Sequence, residues 1–463
     1  MTGSMTARLP AVFVVPALLL LLAGGPGLGL PAAQAGDVSR SPADAGAPPT
    51  AFVGARILPV AGPPIDDGVL VVAGGRVSAL GARGSVAIPS GAEVRDLAGR
   101  VVIPGLVDTH SHIGGVGGAD GSGPIQPEVR IYDSLNPLDP GFRRAVAGGV
   151  TTLNVMPGSG HLLSGQTVYL KPRGGETIDA FFIVTAGGAP AGGMKMANGT
   201  NSMRDAPFPG TRGKSAALVR EMFVKAQDYR ERSRQTDVAK RPARDLGMEA
   251  VIEVLDGTRI VQYHSHRADD MITVLRLAQE FGFRPVLHHA SEAFKIADEI
   301  AAAGVPVSAI LVDSPGGKLE TRDLTFTTPA VLERAGATVA LHTDDWITDS
   351  RFFLRMGAIA VRGGMTREGA LRALTLSGAE ILGLADRVGS LAPGRDADFV
   401  VLDGDPFGVH THVLETWIEG KKVFDRAVPA DRLHAIGGFG AGNERKPYLC
   451  CADEAALAAG DAQ

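Results

Sequence analysis

The stretch that most constrains the fold is a run of apolar residues that ends in closely spaced polar ones, VVIPGLVDTHSH at positions 101–112. An apolar run followed by polar side chains predicts a buried strand that emerges at a chemically active edge. Alternate side chains of a strand point the same way, so His110 and His112 share one face and are able to bind one ion. The pair alone leaves metal binding and a plain strand end equally open. The rest of the chain decides between them.

Short strands and helices alternate through the middle of the chain. Asp139 and Pro140 predict the start of a helix, because aspartate caps helices and proline suits their first turn. The predicted strands cover residues 151–155, 166–170, 259–263, 284–287, 305–312 and 337–341, and the predicted helices cover residues 139–147, 214–234, 268–280, 291–303, 328–336 and 366–382. Repeated units of this kind predict an α/β fold with a parallel sheet, and about eight of them predict a closed (β/α)8 TIM barrel.

Short strands separated by turn residues occupy both ends of the folded part. They cover residues 52–60, 68–73, 76–80 and 93–103 on one side and residues 397–402, 412–418 and 421–424 on the other. We expect both groups to meet in a small composite β-sandwich domain built from the N- and C-terminal segments. The predicted organisation is a signal peptide at 1–35, a linker at 36–50, β-domain segments at 51–103 and 386–430, a barrel at 104–385 and a tail at 431–463.

The first residues have the pattern of an export signal. An apolar run at residues 11–23 and a small-x-small site before Gly36 predict a signal peptide that is cleaved after Ala35. The run is short for a membrane span and contains Pro16, so we expect an exported protein, periplasmic or secreted, with no stable membrane span after cleavage.

Charge and cysteine content narrow the partners. The formal net charge is −5 and the chain has no polybasic run, so nucleic acid is not an expected partner. Cys450 and Cys451 are adjacent and predict neither a disulfide framework nor a thiolate metal site. The sequence leaves the role of these cysteines and the oligomeric state open, a homo-oligomer included.

Histidines and an aspartate follow the predicted strands one after another. His110 and His112 come after the first barrel strand, His264 and His289 after two later strands, and Asp344 after the last. In a (β/α)8 barrel these strand ends meet at one mouth, where active sites lie. Several histidines and a carboxylate around one centre suit zinc or a similar metal. The sequence therefore predicts a divalent metal site, with zinc as the expected ion.

Longer motifs resemble those of the amidohydrolase superfamily. They are GRVVIPGLVDTHSH at 99–112, GGVTTLNVMPG at 148–158, RVGSLAPGRDADFVVLDGDPF at 387–407 and WIEGKKVF at 417–424. GMKMANGTN at 193–201 and YHSHRADDM at 263–271 are similar to exported, imidazolonepropionase-like members. The resemblance covers nearly everything from residue 51 to residue 430. It implies a metal-dependent hydrolase that acts on carbon–nitrogen bonds.

The resemblance also implies the ligands of the metal. The residues that match the family's ligands are His110, His112, His264, His289 and Asp344. In binuclear relatives a carboxylated lysine bridges two metal ions. Lys195 resembles that lysine more closely than Lys171, which also ends an apolar strand, and a site without a bridging lysine stays open. The implied cofactor is therefore one or two divalent ions, with or without a carboxylated lysine.

In the mechanism that the resemblance implies, a metal-activated hydroxide attacks the substrate and Asp344 is the catalytic general base. Deaminases and imidazolonepropionases of the superfamily generally place a glutamate three residues after the histidine that matches His264, whereas this chain has Arg267 there. The departure favours a small amide, a dipeptide or a cyclic amide as substrate. His266 and Arg267 are the candidate substrate-binding residues, and Arg267 or Arg204 suits a substrate carboxylate.

Two alternatives stay open at this point. One is a mononuclear amidohydrolase of the imidazolonepropionase or deaminase type, and the other is a catalytically idle barrel used for binding. The presence of all the non-lysine ligands favours an enzyme. His288 points to the opposite side of its strand from His289, which predicts a structural role. The remaining weak candidates are His161, His342, His410 and His412.

Overall fold

The computed structural model describes residues 48–115, 120–311, 318–345 and 347–441. The predicted signal peptide, Cys450 and Cys451 lie outside the described residues, so what the sequence predicts for them stays a prediction. Within the described ranges, no helix combines the length and the apolar composition that a membrane crossing requires.

The described chain consists of strands and α-helices, which are numbered separately in chain order. The strands are β1 (Thr50–Ile57), β2 (Ile65–Ala73), β3 (Arg76–Ala82), β4 (Glu93–Asp96), β5 (Val101–Pro104), β6 (Leu106–Ser111), β7 (Val150–Val155), β8 (Leu163–Gln166), β9 (Val168–Leu170), β10 (Met194–Ala197), β11 (Val261–Ser265), β12 (Pro285–His289), β13 (Val307–Ala309), β14 (Val339–Leu341), β15 (Phe399–Leu402), β16 (Val413–Ile418) and β17 (Lys421–Asp425). The α-helices are α1 (Pro140–Ala147), α2 (Arg212–Ser233), α3 (Leu246–Leu255), α4 (Ala268–Phe281), α5 (Ala297–Ala303), α6 (Thr328–Arg334), α7 (Phe353–Arg362), α8 (Arg367–Ala373), α9 (Leu376–Leu382) and α10 (Pro429–Ile436).

One sheet joins strands from both ends of the described chain. Its order is β17-β16-β15-β5-β1-β2-β3, and β4 also pairs with β1. β5 and β15 pair in antiparallel fashion, with Ile103 opposite Val400. Phe52, Phe399 and Trp417 pack together on this sheet, with ring centroids 5.0 to 5.5 Å apart. Packing of these large apolar rings helps to hold the two groups of strands together. A sandwich arrangement of this region stays a prediction.

Two further sheets carry the middle of the chain. One has the order β14-β13-β12-β11-β10-β8 and the other the order β6-β7-β9. Neighbours from β10 to β14 pair in parallel, and so do β6 and β7. Every residue of β12 is buried, which is typical of a parallel strand that is covered on both faces. These parallel strands bring the polar residues at their carboxyl ends to one side.

The predicted strand at residues 166–170 does not run parallel to its neighbours. β8 is antiparallel to β10, and β9 is antiparallel to β7. β7 ends at Val155 and β8 begins at Leu163. A parallel crossover needs a dozen or more residues, usually with a helix, and this connection is shorter than that. The chain therefore reverses direction here.

The helix predicted at residues 366–382 is two helices, α8 and α9. The Leu374 carbonyl accepts a hydrogen bond of 3.0 Å from the Val107 backbone N–H of β6, and Thr375 leaves the helical region with φ −135° and ψ −91°. The helix predicted to begin at Ser291 also differs, because a 3-10 turn (Ala293–Lys295) precedes α5. The Ser291 hydroxyl contacts His266 Nδ1 at 2.8 Å instead of capping a helix. Tertiary contacts thus override both local patterns.

Candidate metal centre

Three side chains, from the carboxyl end of β6 and from the segment after β14, converge on one point. His110 Nε2 lies 3.2 Å from His112 Nε2. Asp344 Oδ1 lies 3.4 Å from His110 Nε2 and 3.1 Å from His112 Nε2. All three residues are buried. Nitrogen and oxygen ligands about 2.0 Å from a tetrahedral zinc ion lie about 3.3 Å from one another. The spacing of these three atoms therefore fits a divalent ion.

Hydrogen bonds between the two segments hold this geometry. The Asp108 carboxylate accepts from the Thr343 backbone N–H at 3.0 Å and from the Thr343 hydroxyl at 2.5 Å. The Asp344 backbone N–H donates to the His110 carbonyl at 2.9 Å. Asp344 has a φ of 49°, in the left-handed region that few residues other than glycine adopt. The bonds on both sides of Asp344 support this backbone conformation next to His110.

His264 at the end of β11 and His289 at the end of β12 form the neighbouring half of the cluster. Their ring centroids lie 4.3 Å apart. Both ring nitrogens of His264 and the Nε2 atom of His289 are buried and have no hydrogen-bond partner among the described residues. Buried polar atoms without partners are rare in folded proteins. A metal ion would satisfy them, so the donor set on this side also fits a metal.

Lys195 in β10 reaches the same centre. Its Nζ lies 3.2 Å from His110 Nε2 and 3.2 Å from Met156 Sδ. The lysine side chain is completely buried. The structure therefore brings Lys195 together with the histidine and aspartate ligands that the sequence predicts.

Lys171, the other lysine that the sequence offers for a metal bridge, contacts a different set of residues. Its Nζ is 2.7 Å from Asp396 Oδ2, 2.9 Å from Asp398 Oδ2 and 3.2 Å from Glu419 Oε1. Arg173 contacts the same Glu419 at 2.7 Å. We call these five residues the Lys171 cluster. It joins β9 to the sheet formed by the chain ends.

The charge of Lys171 also argues against a bridging role. Burial alone lowers the pKa of this amine, but Asp398, Asp396 and Glu419 outweigh burial, and the net shift is upward. Carboxylation of a lysine requires the neutral amine. A protonated lysine held by carboxylates does not supply it.

Burial and neighbouring charges set the protonation states of the centre. Burial lowers the pKa values of His110, His264 and His289 well below the usual range for histidine. Burial alone would raise the pKa of Asp344, but contact with His112 outweighs it and the net shift is downward. Neutral imidazoles and an ionised carboxylate are the forms that bind metal ions.

His266 lies beside these ligands. Its ring centroid is 4.7 Å from that of His264. His266 Nδ1 is 2.8 Å from the Ser291 hydroxyl, and its Nε2 is 3.4 Å from Lys318 Nζ. The sequence did not predict a role for Lys318. The feature that could have indicated one is its position directly after Gly316 and Gly317, beyond a predicted strand.

The arginines considered for substrate binding have protein partners. Arg267 forms a two-pronged ion pair with Asp269, at 2.9 and 2.8 Å, at the exposed start of α4. Arg204 donates to the Gly160 carbonyl and lies 4.0 Å above the ring of Phe208. The structure thus places His266, rather than Arg267, next to the metal ligands.

Two histidines lie directly beneath the ligands. His288 Nδ1 is 3.2 Å from His110 Nδ1, and His342 Nε2 is 3.2 Å from His289 Nδ1. His110, His289 and His342 also bring one possible ligand atom each within 4.8 Å of one another. The position of His342 beneath His289 was not predicted from the sequence.

The other histidines lie away from this cluster. His412 is exposed, and its Nδ1 contacts Asp403 Oδ2 at 2.8 Å. Its exposure and its partner are those of a surface histidine outside the candidate metal site. His161 is buried against the ring of Phe208, with ring centroids 5.1 Å apart.

Parallel strands that end in histidines, a buried lysine and an aspartate are typical of a metal-dependent hydrolase. A model of the amidohydrolase family matches residues 221–424. The solved structure of an amidohydrolase from Thermotoga maritima is 35% identical, with a TM-score of 0.74, and the match covers 81% of this chain and 100% of that one. The chain belongs to the amidohydrolase superfamily and is a hydrolase that acts on carbon–nitrogen bonds.

Two curated relatives give the same class. An imidazolonepropionase from Stenotrophomonas maltophilia is 29% identical over 376 residues, which cover 74% of this chain and 87% of that protein. The amidohydrolase tasK from Hapsidospora irregularis is 29% identical over 381 residues and 75% of this chain. The match spans only 39% of that longer relative.

Proposed function

We propose that the protein is an exported amidohydrolase that uses one or two divalent metal ions, zinc as the expected ion, to hydrolyse the C–N bond of small amides, dipeptides or cyclic amides. The observation that carries the proposal is the convergence of His110 Nε2, His112 Nε2 and Asp344 Oδ1 within 3.4 Å, with Lys195 Nζ at 3.2 Å. Export rests on the pattern of residues 11–35 alone.

We infer that the two inner sheets close into one barrel. Three contacts support closure: β8 pairs with β10, β9 pairs with β7, and Ser111 at the end of β6 forms a parallel bridge to Asp345 beyond β14. Residues 163–170 would then fill the third position of a (β/α)8-like barrel with reversed direction. The ligands would lie at its mouth.

The residues that would hold the metal are His110, His112, Lys195, His264, His289 and Asp344. A bound divalent ion lowers the pKa of a coordinated water and polarises a substrate carbonyl. The Asp344 carboxylate would accept the proton of the attacking water and donate it to the leaving amine nitrogen. A C–O bond forms, the C–N bond breaks, and no nucleophilic side chain is needed.

Lys318 favours a substrate that carries a carboxylate. Its Nζ lies 3.4 Å from His266 Nε2 and donates to Asn201 Oδ1 at 2.7 Å. In the part of the chain that the structure describes, no carboxylate forms an ion pair with it, whereas Arg267 has Asp269. A cation beside the ligands with no acidic partner suits a carboxylate at one end of a dipeptide.

Metal analysis and a hydrolysis screen test the proposal together. We expect one or two equivalents of metal per purified chain and turnover of members of a dipeptide and lactam panel. His110→Ala should lose metal and turnover together, and turnover retained in that variant would refute the proposal.

The same measurements separate the alternatives. One metal equivalent would exclude the lysine-bridged pair and leave a mononuclear hydrolase. Full metal occupancy without hydrolysis of any panel member would favour a binding protein.

A further inference from the structure

The Nδ1 atoms of three ligand histidines all face a partner inside the protein. His112 Nδ1 lies 2.8 Å from the Met156 carbonyl oxygen. A carbonyl only accepts, so His112 carries its proton on Nδ1, and its Nε2 lone pair is the one that would bind a metal ion. Backbone carbonyls commonly hold metal-binding histidines in this way. In His110 and His289, by contrast, the Nδ1 atom faces another histidine and not a backbone carbonyl.

The partner of His110 has its own proton placed by a glutamine. His288 Nε2 lies 2.7 Å from Gln262 Oε1, an acceptor, so the His288 proton is on Nε2. A neutral imidazole has one N–H, which makes His288 Nδ1 an acceptor. His110 Nδ1, 3.2 Å away, must therefore donate to it, and His110 Nε2 is left without a proton. That nitrogen is the one that faces His112 and Asp344.

A second chain of hydrogen bonds runs to His289. His289 Nε2 is the ring nitrogen without a partner among the described residues, so binding through it leaves the proton on Nδ1. His342 Nε2, 3.2 Å from His289 Nδ1, then accepts. His342 Nδ1 donates to the Ser308 hydroxyl at 2.7 Å, and Ser308 donates to the Thr109 hydroxyl at 2.5 Å. Each donor in this chain meets one acceptor.

We propose that His288 and His342 are positioning residues that fix the tautomers of His110 and His289, so that both ligands present a bare Nε2 to the metal. Neither is a ligand itself. His288 uses Nδ1 for His110 and Nε2 for Gln262. His342 uses Nε2 for His289 and Nδ1 for Ser308. The inference rests on the proposed metal centre and assigns a role to His288 and His342, which contact its ligands.

Asparagine and glutamine substitutions separate this role from simple packing. An asparagine amide occupies roughly the place of a histidine Nδ1, and a glutamine amide that of Nε2. His288 accepts through Nδ1, so His288→Asn should keep zinc affinity within about threefold of wild type, whereas His288→Gln should lose about 10- to 100-fold. His342 accepts through Nε2, so His342→Gln should be the tolerated variant and His342→Asn the impaired one.

The readout is the zinc dissociation constant of the full chain, measured by competition with a coloured chelator. A packing role predicts the same preference at both positions, since asparagine is the smaller residue at each. The crossed pattern, Asn tolerated at 288 and Gln tolerated at 342, supports the inference. The same order at both positions, or equal affinities in all the variants, overturns it.

A second measurement needs no variant. Long-range 1H–15N spectra of the 15N-histidine-labelled wild type report which ring nitrogen carries the proton. Signals from His110 and His289 as Nδ1–H tautomers, His288 as Nε2–H and His342 as Nδ1–H support the inference, and any other assignment at these positions overturns it. Zinc binding by the wild type is measured in the same samples, so failure of the proposed metal centre is distinguished from failure of this inference.

Discussion

At the scale of single residues, the centre depends on polar atoms whose partners lie far away in the sequence. The Asp344 backbone N–H donates to the His110 carbonyl, and the Asp108 carboxylate, two positions before His110, accepts from the backbone N–H and the hydroxyl of Thr343. The spacing of His110 and His112 on one strand was enough to predict that they face the same way. The supporting role of His342 was not predictable, because nothing local connects residue 342 to residue 289.

Replacing the Asp344 carboxylate by an amide tests its role as the proton carrier. Asp344→Asn should lower kcat for a hydrolysed dipeptide by about 10²- to 10⁴-fold, because an amide does not accept and return the proton. Steady-state kinetics and metal analysis of the same sample give the result. His412→Ala, at an exposed histidine outside the cluster, is the control and should leave metal content and kcat unchanged. Wild-type turnover by Asp344→Asn would contradict the assignment.

Glu419 of the Lys171 cluster gives the fold a defined pH dependence. Burial alone raises its pKa, but Arg173 and Lys171 outweigh burial and lower the pKa to about 2, below the value of about 4.3 in an unfolded chain. Ionised Glu419 therefore stabilises the fold at neutral pH, and this contribution is lost as the pH falls from about 4.5 towards 2.

Glu419→Gln should remove that contribution. We expect the variant to be less stable than wild type at pH 7, by on the order of 1–3 kcal/mol, with the difference shrinking towards pH 3. Denaturant unfolding at a series of pH values measures it. A stability difference that stays constant between pH 7 and pH 3 would show that Glu419 does not titrate as described.

At the scale of elements, local signals predicted helix starts better than strand direction. α1 begins at Pro140 with the Asp139 carboxylate accepting from the Gly141 backbone N–H, as the sequence predicts. The turn at Gly74 and Gly75 between β2 and β3 is also local, since both residues have positive φ values, 56° and 75°, which glycine adopts without strain. Both depend on neighbours in the chain. The reversed direction of residues 163–170 and the break between α8 and α9 depend on distant strands.

The junction between β9 and the sheet of the chain ends contains the buried cation Lys171, next to Arg387, which contacts Asp396 at 2.8 Å. Lys171→Met would remove the ion pair of Asp398 and leave Asp396 with Arg387 and Glu419 with Arg173, and breaking a buried ion pair in this way costs about 3–5 kcal/mol. Thermal or denaturant unfolding measures the loss. The folded variant should keep its zinc, in contrast to Lys195→Ala.

The matched control is Lys225→Met. Lys225 is exposed and pairs with Glu221 on the surface of α2, so its loss should change stability by about 0.5 kcal/mol or less. Loss of zinc without loss of stability in Lys171→Met would show that Lys171, and not Lys195, belongs to the metal centre.

At the scale of the whole molecule, separate sheets contribute to one buried centre. β6, β10, β11, β12 and the segment after β14 each supply at least one predicted ligand. The pattern of polar residues after successive strands predicted that these segments meet. The pattern did not predict that residues 163–170 run in the opposite direction, because side chains alternate with the same period in parallel and antiparallel strands.

Removal of metal should therefore affect the whole molecule. Because a ligand that binds only the folded state stabilises it, free zinc at a thousandfold excess over its dissociation constant adds about 4 kcal/mol. Treatment with a strong chelator should abolish turnover and lower the melting temperature, and added zinc should restore both. His110→Ala should show no such zinc-dependent shift. An unchanged melting temperature after complete metal removal would contradict a metal centre shared by these strands.

The sequence by itself determined which residues are able to bind a metal ion, that they lie at or after the ends of several strands, and where several helices begin. These features depend on residue type and on spacing along the chain, which local geometry translates into shared faces and caps. Only the tertiary structure decided between Lys195 and Lys171, moved Arg267 into an ion pair with Asp269, and placed His288 and His342 beneath the ligands. Those outcomes depend on which distant groups become neighbours when the chain is buried, and burial makes unpaired charges and unsatisfied hydrogen bonds too costly to keep.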